Sequence, residues 1–136
     1  MRFSGKASKF LIVGASAALV NLSVMALFVE VLGFQTYFLK NLSNILSIEV
    51  SIIFNFVFSR AWTWGDAPSK KGRELAGQCA SFHAANLFGL ITRAVLFAAL
   101  ERAGVHYMLN ITLGIGVAAS ISFVLYDRIV FKTEDR

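Results

Sequence analysis

Four apolar runs, near Phe10–Leu32, Tyr37–Phe58, Leu75–Leu100 and Tyr107–Phe131, leave this chain few folds to choose from. As a helix, each can cross a hydrocarbon core of about 30 Å, which takes roughly 20 residues. The apolar residues come in blocks rather than in the strict alternation of barrel strands, so helices are expected. Only 15% of the residues are charged and 57% are hydrophobic, with a mean hydropathy of +0.66. A soluble domain carries about 25% charged residues, and a chain of 136 residues cannot hide so much apolar surface from water. The expected fold is an all-α membrane protein with four transmembrane helices, a single integral membrane domain over residues 1–136. The first run follows Arg2, Lys6 and Lys9 and contains Ala15–Ala17, as a signal peptide would. It continues far past that point, and a retained helix is expected.

The net charge of +5 could suggest nucleic acid, but its distribution points to a membrane. With the N-terminus inside, Arg2, Lys6, Lys9, Arg60, Lys70, Lys71, Arg73, Arg128, Lys132 and Arg136 fall on the inner side. Lys40 and Arg102 fall near the outer ends, and Arg93 lies within a run. Ten against two is a strong positive-inside bias, so both termini are expected in the cytoplasm. No nucleic-acid partner is expected.

The end of the second run, "NFVFSRAWTW" (Asn55–Trp64), is echoed by "SFVLYDRIVF" (Ser122–Phe131) at the end of the fourth. Phe56 aligns with Phe123, Val57 with Val124 and Trp64 with Phe131, and a charged residue falls at Arg60 and at Asp127. A nearly equal offset sets Asn21–Leu22 over Asn86–Leu87. A duplicated helical hairpin accounts for this, and an even number of crossings per copy makes the repeat parallel. Chance alignment of apolar helices is the competing explanation.

Polar residues inside the runs are the candidate functional groups. On the second helix Lys40, Asn44, Ser47, Ser51 and Asn55 share a sector of about 80°, with Asn41 just beyond and Glu49 opposite. The third carries Gln78, Asn86 and Arg93 on one face, with Gly89 between them allowing close approach. A charge at the bilayer centre costs about 2.5–3.5 kcal/mol on insertion scales, so Arg93 and Glu49 need a reason to be there. Arg93 either pairs with Glu49 or Glu30 to set helix register, or holds an anionic group such as phosphate through its planar fork. Asn and Ser often serve as hydrogen-bonding glue between membrane helices. Trp62 and Trp64 are expected as inner-interface anchors, and Tyr37, Phe38 and Tyr107 as the outer belt. His83 and His106, with the lone Cys79, cannot assemble a metal site, and no nucleophile triad or phosphate-binding glycine loop is present. Neither catalysis nor a cofactor is expected.

A chain of this size, with "FLIVGASAALVNL" opening the first helix and "NFVFSRAWTW" closing the second, resembles the GtrA-like family, and the likeness covers essentially the whole chain. The resemblance implies a translocase that flips polyprenyl-phosphate-linked monosaccharides across the bacterial inner (cytoplasmic) membrane for cell-surface polysaccharide synthesis. It supports Asn55 and Arg60 in the first motif; in the second, Ser122 replaces the expected asparagine and Asp127 the basic residue, with Arg128 displaced by one. The candidate substrate-binding set is Arg93, Asn55, Arg60, Lys40, Asn44, Asn86, Gln78 and Arg128. Phosphate capture is expected at Arg60 or Arg128 and passage at Arg93, with Glu49 as the candidate for ion coupling. Four short helices leave little interior, so a homodimer is expected. The alternatives are a non-transporting membrane anchor for a glycosyltransferase, and a small multidrug exporter. The exporter fits less well, since the first helix has only Glu30, near its outer end, and the charges are unbalanced.

Overall fold

The computed structural model describes residues 3–132, in which all regular structure is helical. Arg2 and Arg136 lie outside the described residues, as does the side chain of Tyr107. Helix α1 runs Phe3–Ala26, α2 Tyr37–Phe58, α3 Gly72–Arg102 and α4 Tyr107–Leu125. Helices α1, α2 and α4 each continue into a five-residue π-helical turn, at Leu27–Val31, Ser59–Thr63 and Tyr126–Val130. All four helices are long and apolar enough to cross a membrane. No more than 22% of the most apolar window of any of them is buried. So much outward-facing apolar surface suits a lipid solvent, where association depends on close packing and interhelical hydrogen bonds.

The chain divides into two compact units, Met1–Gly65 and Asp66–Arg136. Each is an antiparallel helical hairpin, α1 with α2 and α3 with α4. In the first, Val13 and Ala17 of α1 are buried, and α2 buries Ser43, Ser47, Phe56, Ser59, Thr63 and the adjoining Trp64. Small residues let two helices approach closely. The hydroxyls of Ser43 and Ser47 donate to their own helix, to the carbonyls of Leu39 at 2.7 Å and Asn44 at 2.9 Å, so burying them strands no donor. Helix α2 is capped by Thr36, whose hydroxyl accepts from the Leu39 N–H at 3.3 Å.

The second hairpin is packed on rings. Phe82 is fully buried and stacks on Tyr126, with centroids 4.3 Å apart, and meets Phe131 edge-on at 5.9 Å. Above this cluster the helices close on Gly89, where an added Cβ would lie 2.9 Å from the Ser122 hydroxyl. Helix α3 ends in a Schellman motif: Gly104 takes φ 78°, its N–H donates to the Glu101 carbonyl, and the Val105 N–H donates to that of Leu100, both at 3.0 Å.

Candidate functional site

The two repeated endings adopt one geometry. The Trp64 N–H donates to the Ser59 carbonyl at 2.8 Å and the Phe131 N–H to that of Tyr126 at 2.7 Å, each five residues back. Trp64 and Phe131 carry nearly the same dihedrals, φ −116°, ψ 37° and φ −113°, ψ 35°. Phe56, Ser59, Thr63 and Trp64 are buried in one ending, and Phe123, Tyr126, Val130 and Phe131 at the matching positions of the other. Here π turns let two successive residues, Thr63–Trp64 and Val130–Phe131, both turn inward. Such turns are rare and frequently mark functional sites.

These turns sort the two tryptophans. Trp62 is 44% exposed and lies under the Lys9 ammonium, 5.5 Å from its ring centroid, while Lys9 also donates to the Trp62 carbonyl at 3.3 Å. Trp64 is fully buried, its ring edge-on to Phe10 at 6.2 Å. Trp62 therefore presents a ring outward, while Trp64 closes the core of the hairpin. Asn55 is half-buried and its Oδ1 accepts from the Ser59 hydroxyl at 2.9 Å; Arg60, next in the turn, is also half-buried. Lys40, Asn44 and Glu49 are exposed along α2.

In the second hairpin, Gln78, Phe82, Ala85 and Gly89 form the buried face of α3, flanked by Asn86 and Arg93. The Asn86 amide donates to the Phe82 carbonyl at 2.8 Å, and its side chain also hydrogen-bonds Tyr126. Arg93 is exposed, and the absence of a side chain on Gly114 makes room for its stem: a Cβ there would lie 3.3 Å from Arg93 Cγ. Arg128 is exposed in the π turn. His83 Nδ1 lies 2.9 Å from the Cys79 carbonyl, which makes that nitrogen the N–H donor.

The end of this hairpin where α3 begins and the π turn closes α4 holds a polar cavity of about 610 Å³, whose lining includes Lys70, Lys132, Glu74, Gln78, Ser69 and Ser81. It adjoins an apolar groove of about 310 Å³ formed by Ala84, Ala85, Phe88 and Leu125, and the two share Ser81, Ile129 and Val130. The combination has the shape and chemistry of an amphiphile: two ammonium groups and several hydrogen-bonding groups at one end, hydrocarbon at the other. Of the lining residues only Gln78 belongs to the candidate set read from the sequence. Lys70 and Lys132 count there simply as inner charges, because a loop lysine and a lysine just past a helix end share no periodicity. One signal was available: Lys132 directly follows the repeated aromatic ending.

Residues 9–131 match the GtrA/DPMS transmembrane domain. The chain belongs to that family. Among curated proteins it resembles a dolichol-phosphate mannosyltransferase of Pyrococcus furiosus, at 30% identity over 125 residues. The match takes in 92% of this chain but 33% of that protein, so this family member spans a third of the length of its relative. The matched span contains both π-ended motifs and every residue lining the polar cavity except Lys132, which directly follows it.

Proposed function

We propose that this protein flips a polyprenyl-phosphate-linked monosaccharide from the cytoplasmic to the outer leaflet of a bacterial inner membrane, for glycosylation of cell-surface polysaccharide or lipopolysaccharide. The observation that carries the reading is the polar cavity at the inner end of the second hairpin, which adjoins an apolar groove and shares Ser81, Ile129 and Val130 with it as lining. Such a lipid is a single negative charge, a hydroxylated ring and a long apolar tail. Lys70 and Lys132 receive the phosphate, Glu74, Ser69, Ser81 and Gln78 meet the ring, and Ala84, Ala85 and Phe88 lie along the tail. Arg93 is 15 residues beyond Gln78 on the same helix, about 22 Å farther along the axis. It offers a second cation for the phosphate in passage. Arg60 and Arg128 assist capture at the inner surface, while Asn86, Asn55, Lys40 and Asn44 supply further polar contacts. Glu49 is the candidate for ion coupling. The protein is proposed to be non-catalytic and homodimeric, with both termini cytoplasmic as the ten-to-two charge bias suggests.

The test is passage in proteoliposomes: whether a polyprenyl-phosphate sugar added to one face becomes accessible from the other. Wild type should equilibrate the lipid rapidly; Arg93→Ala should slow it at least tenfold, and Lys70→Ala combined with Lys132→Ala should weaken capture. Equilibration unchanged by all three substitutions would remove these residues from the path, and none with any of several sugars would reject the carrier.

A second reading is a membrane anchor that recruits a glycosyltransferase. Its support is the relative, a mannosyltransferase by name, only a third of which is matched. Co-purification of an enzyme with both wild type and Arg93→Ala, in the absence of flipping, would favour it.

A further inference from the structure

The two recesses of the second hairpin follow one flank of α3. Glu74, Gly77, Ser81, Ala84 and Phe88 succeed one another at alternating steps of three and four residues, which keeps them on the same side of a helix. The first three line the polar cavity and the last three the apolar groove, with Ser81 common to both. Across from them, Ile129 and Val130 border both recesses, and Leu125, one turn back, borders the groove. Beyond Glu74 this flank is low: a Cβ at Gly77 would meet nothing within 4 Å, and Ser81 and Ala84 carry small side chains. Phe88 is the first bulky residue of the row, and Ile91 and Val95 continue it; all three are exposed. The shelf therefore stops at Phe88.

Length and volume agree on what this shelf holds. Phe88 lies seven residues beyond Ser81, about 10 Å along the helix axis. About eight carbon–carbon bonds of roughly 1.5 Å, in zigzag, cover the same distance. The groove has a volume of about 310 Å³, room for roughly ten carbon atoms at the ~30 Å³ that a water-sized group takes in a liquid. Both figures correspond to about two isoprene units. We infer that the groove seats the first two isoprene units of a polyprenyl phosphate and that Phe88 ends the seat, so that the protein recognises the head and the start of the tail and is indifferent to chain length beyond. This rests on the lipid-phosphate reading above and adds which part of the lipid is held. Apolarity alone gains little here, because the surrounding lipid tails are equally apolar. The gain comes from packing a chain, tethered by its head in the cavity, against Ala84, Ala85 and Leu125.

The experiment places the full chain in phosphatidylcholine nanodiscs, whose straight acyl chains bathe the groove in every sample. The probes are geranylgeranyl methyl phosphates with a photoactivatable diazirine on the first, second, third or fourth isoprene unit, and one with the diazirine in the methyl ester group instead. Labelling counts only where unmodified geranylgeranyl methyl phosphate competes it away. Probes on the first two units should label Ala84–Phe88 and Leu125–Val130 at least about fivefold more than those on the third and fourth. Ala84→Phe fills the shelf from an exposed position and should lower labelling by the first two units about fivefold, while the ester probe still labels the cavity. Phe88→Ala removes the end wall and should bring the third unit to the level of the second. Equal labelling by all four units, or a pattern unchanged in both variants, would overturn the groove assignment alone, provided that the ester probe labels the cavity residues. If the ester probe gives no competed labelling there, the cavity is not the phosphate seat and both statements fall.

Discussion

Hairpin one and hairpin two end in the same turn and are held together by different chemistry. In the first, two buried positions are small: Ala17 on α1 and Ser59 at the start of the π turn, with the Ser59 hydroxyl bonded to Asn55 on its own helix. At an offset of 65 residues on the first helix of each hairpin and 67 on the second, the other hairpin has Phe82 and Tyr126, stacked at 4.3 Å. There a pair of polar side chains also meets between helices, Asn86 with Tyr126. The π turns are also capped differently, by the half-buried Lys9 in one and the buried Gln78 in the other, where Val13 holds the equivalent place in the first hairpin. The two hairpins share a turn geometry and differ where side chains meet, and the polar cavity lies in the one with the buried amide.

Four substitutions, three of them with a comparison in the other hairpin, probe that difference, each read as a change in unfolding free energy in detergent or bicelles. The largest effect is expected from Phe82→Ala, which empties the centre of a three-ring cluster and should cost about 3–5 kcal/mol. An equal loss from Val13→Ala would show that the first hairpin depends as heavily on its seam, and the contrast would fail. Next comes Gly89→Leu, about 1–3 kcal/mol, since even a Cβ there meets the Ser122 hydroxyl at 2.9 Å. Gly14→Leu is the matched control: nothing lies within 4 Å of a Cβ at Gly14, so it should change stability by less than about 0.5 kcal/mol. Tyr126→Phe removes the cross-helix bond to Asn86 and should cost about 1 kcal/mol. Ser59→Ala loses a bond made within its own helix and should cost less. The smallest change is expected from Lys9→Met, about 0.5 kcal/mol, because the contact with Trp62 is half-exposed; a larger loss would show that capping matters as much in the first hairpin as in the second.

Much of this framework is legible in the sequence. Run lengths set four helices in a membrane, since a buried backbone with no water must satisfy its own hydrogen bonds. The likeness of Asn55–Trp64 to Ser122–Phe131 announced a shared ending, and Gly89 among polar residues marked a close approach. The candidate site was legible only in part. Arg93, Asn86 and Gln78 stand out because polar groups are costly in hydrocarbon, but nothing in their spacing said which would be exposed, bonded or buried. Trp62 and Trp64 look alike in sequence, and the π turn decides that one ring faces outward and the other inward.

Composition and order alone determined the solvent, the number of crossings and the repeat, because these depend on how much apolar surface the chain carries and in what periods. Only the tertiary structure decided that Lys70, Lys132, Glu74 and Gln78 line one cavity, and that a groove through Ile129 and Val130 adjoins it. These residues come from a loop, a helix and a chain segment more than fifty positions away. Their meeting is set by how α3 and α4 pack on Gly89 and the Phe82 rings, a three-dimensional fit that no local pattern encodes.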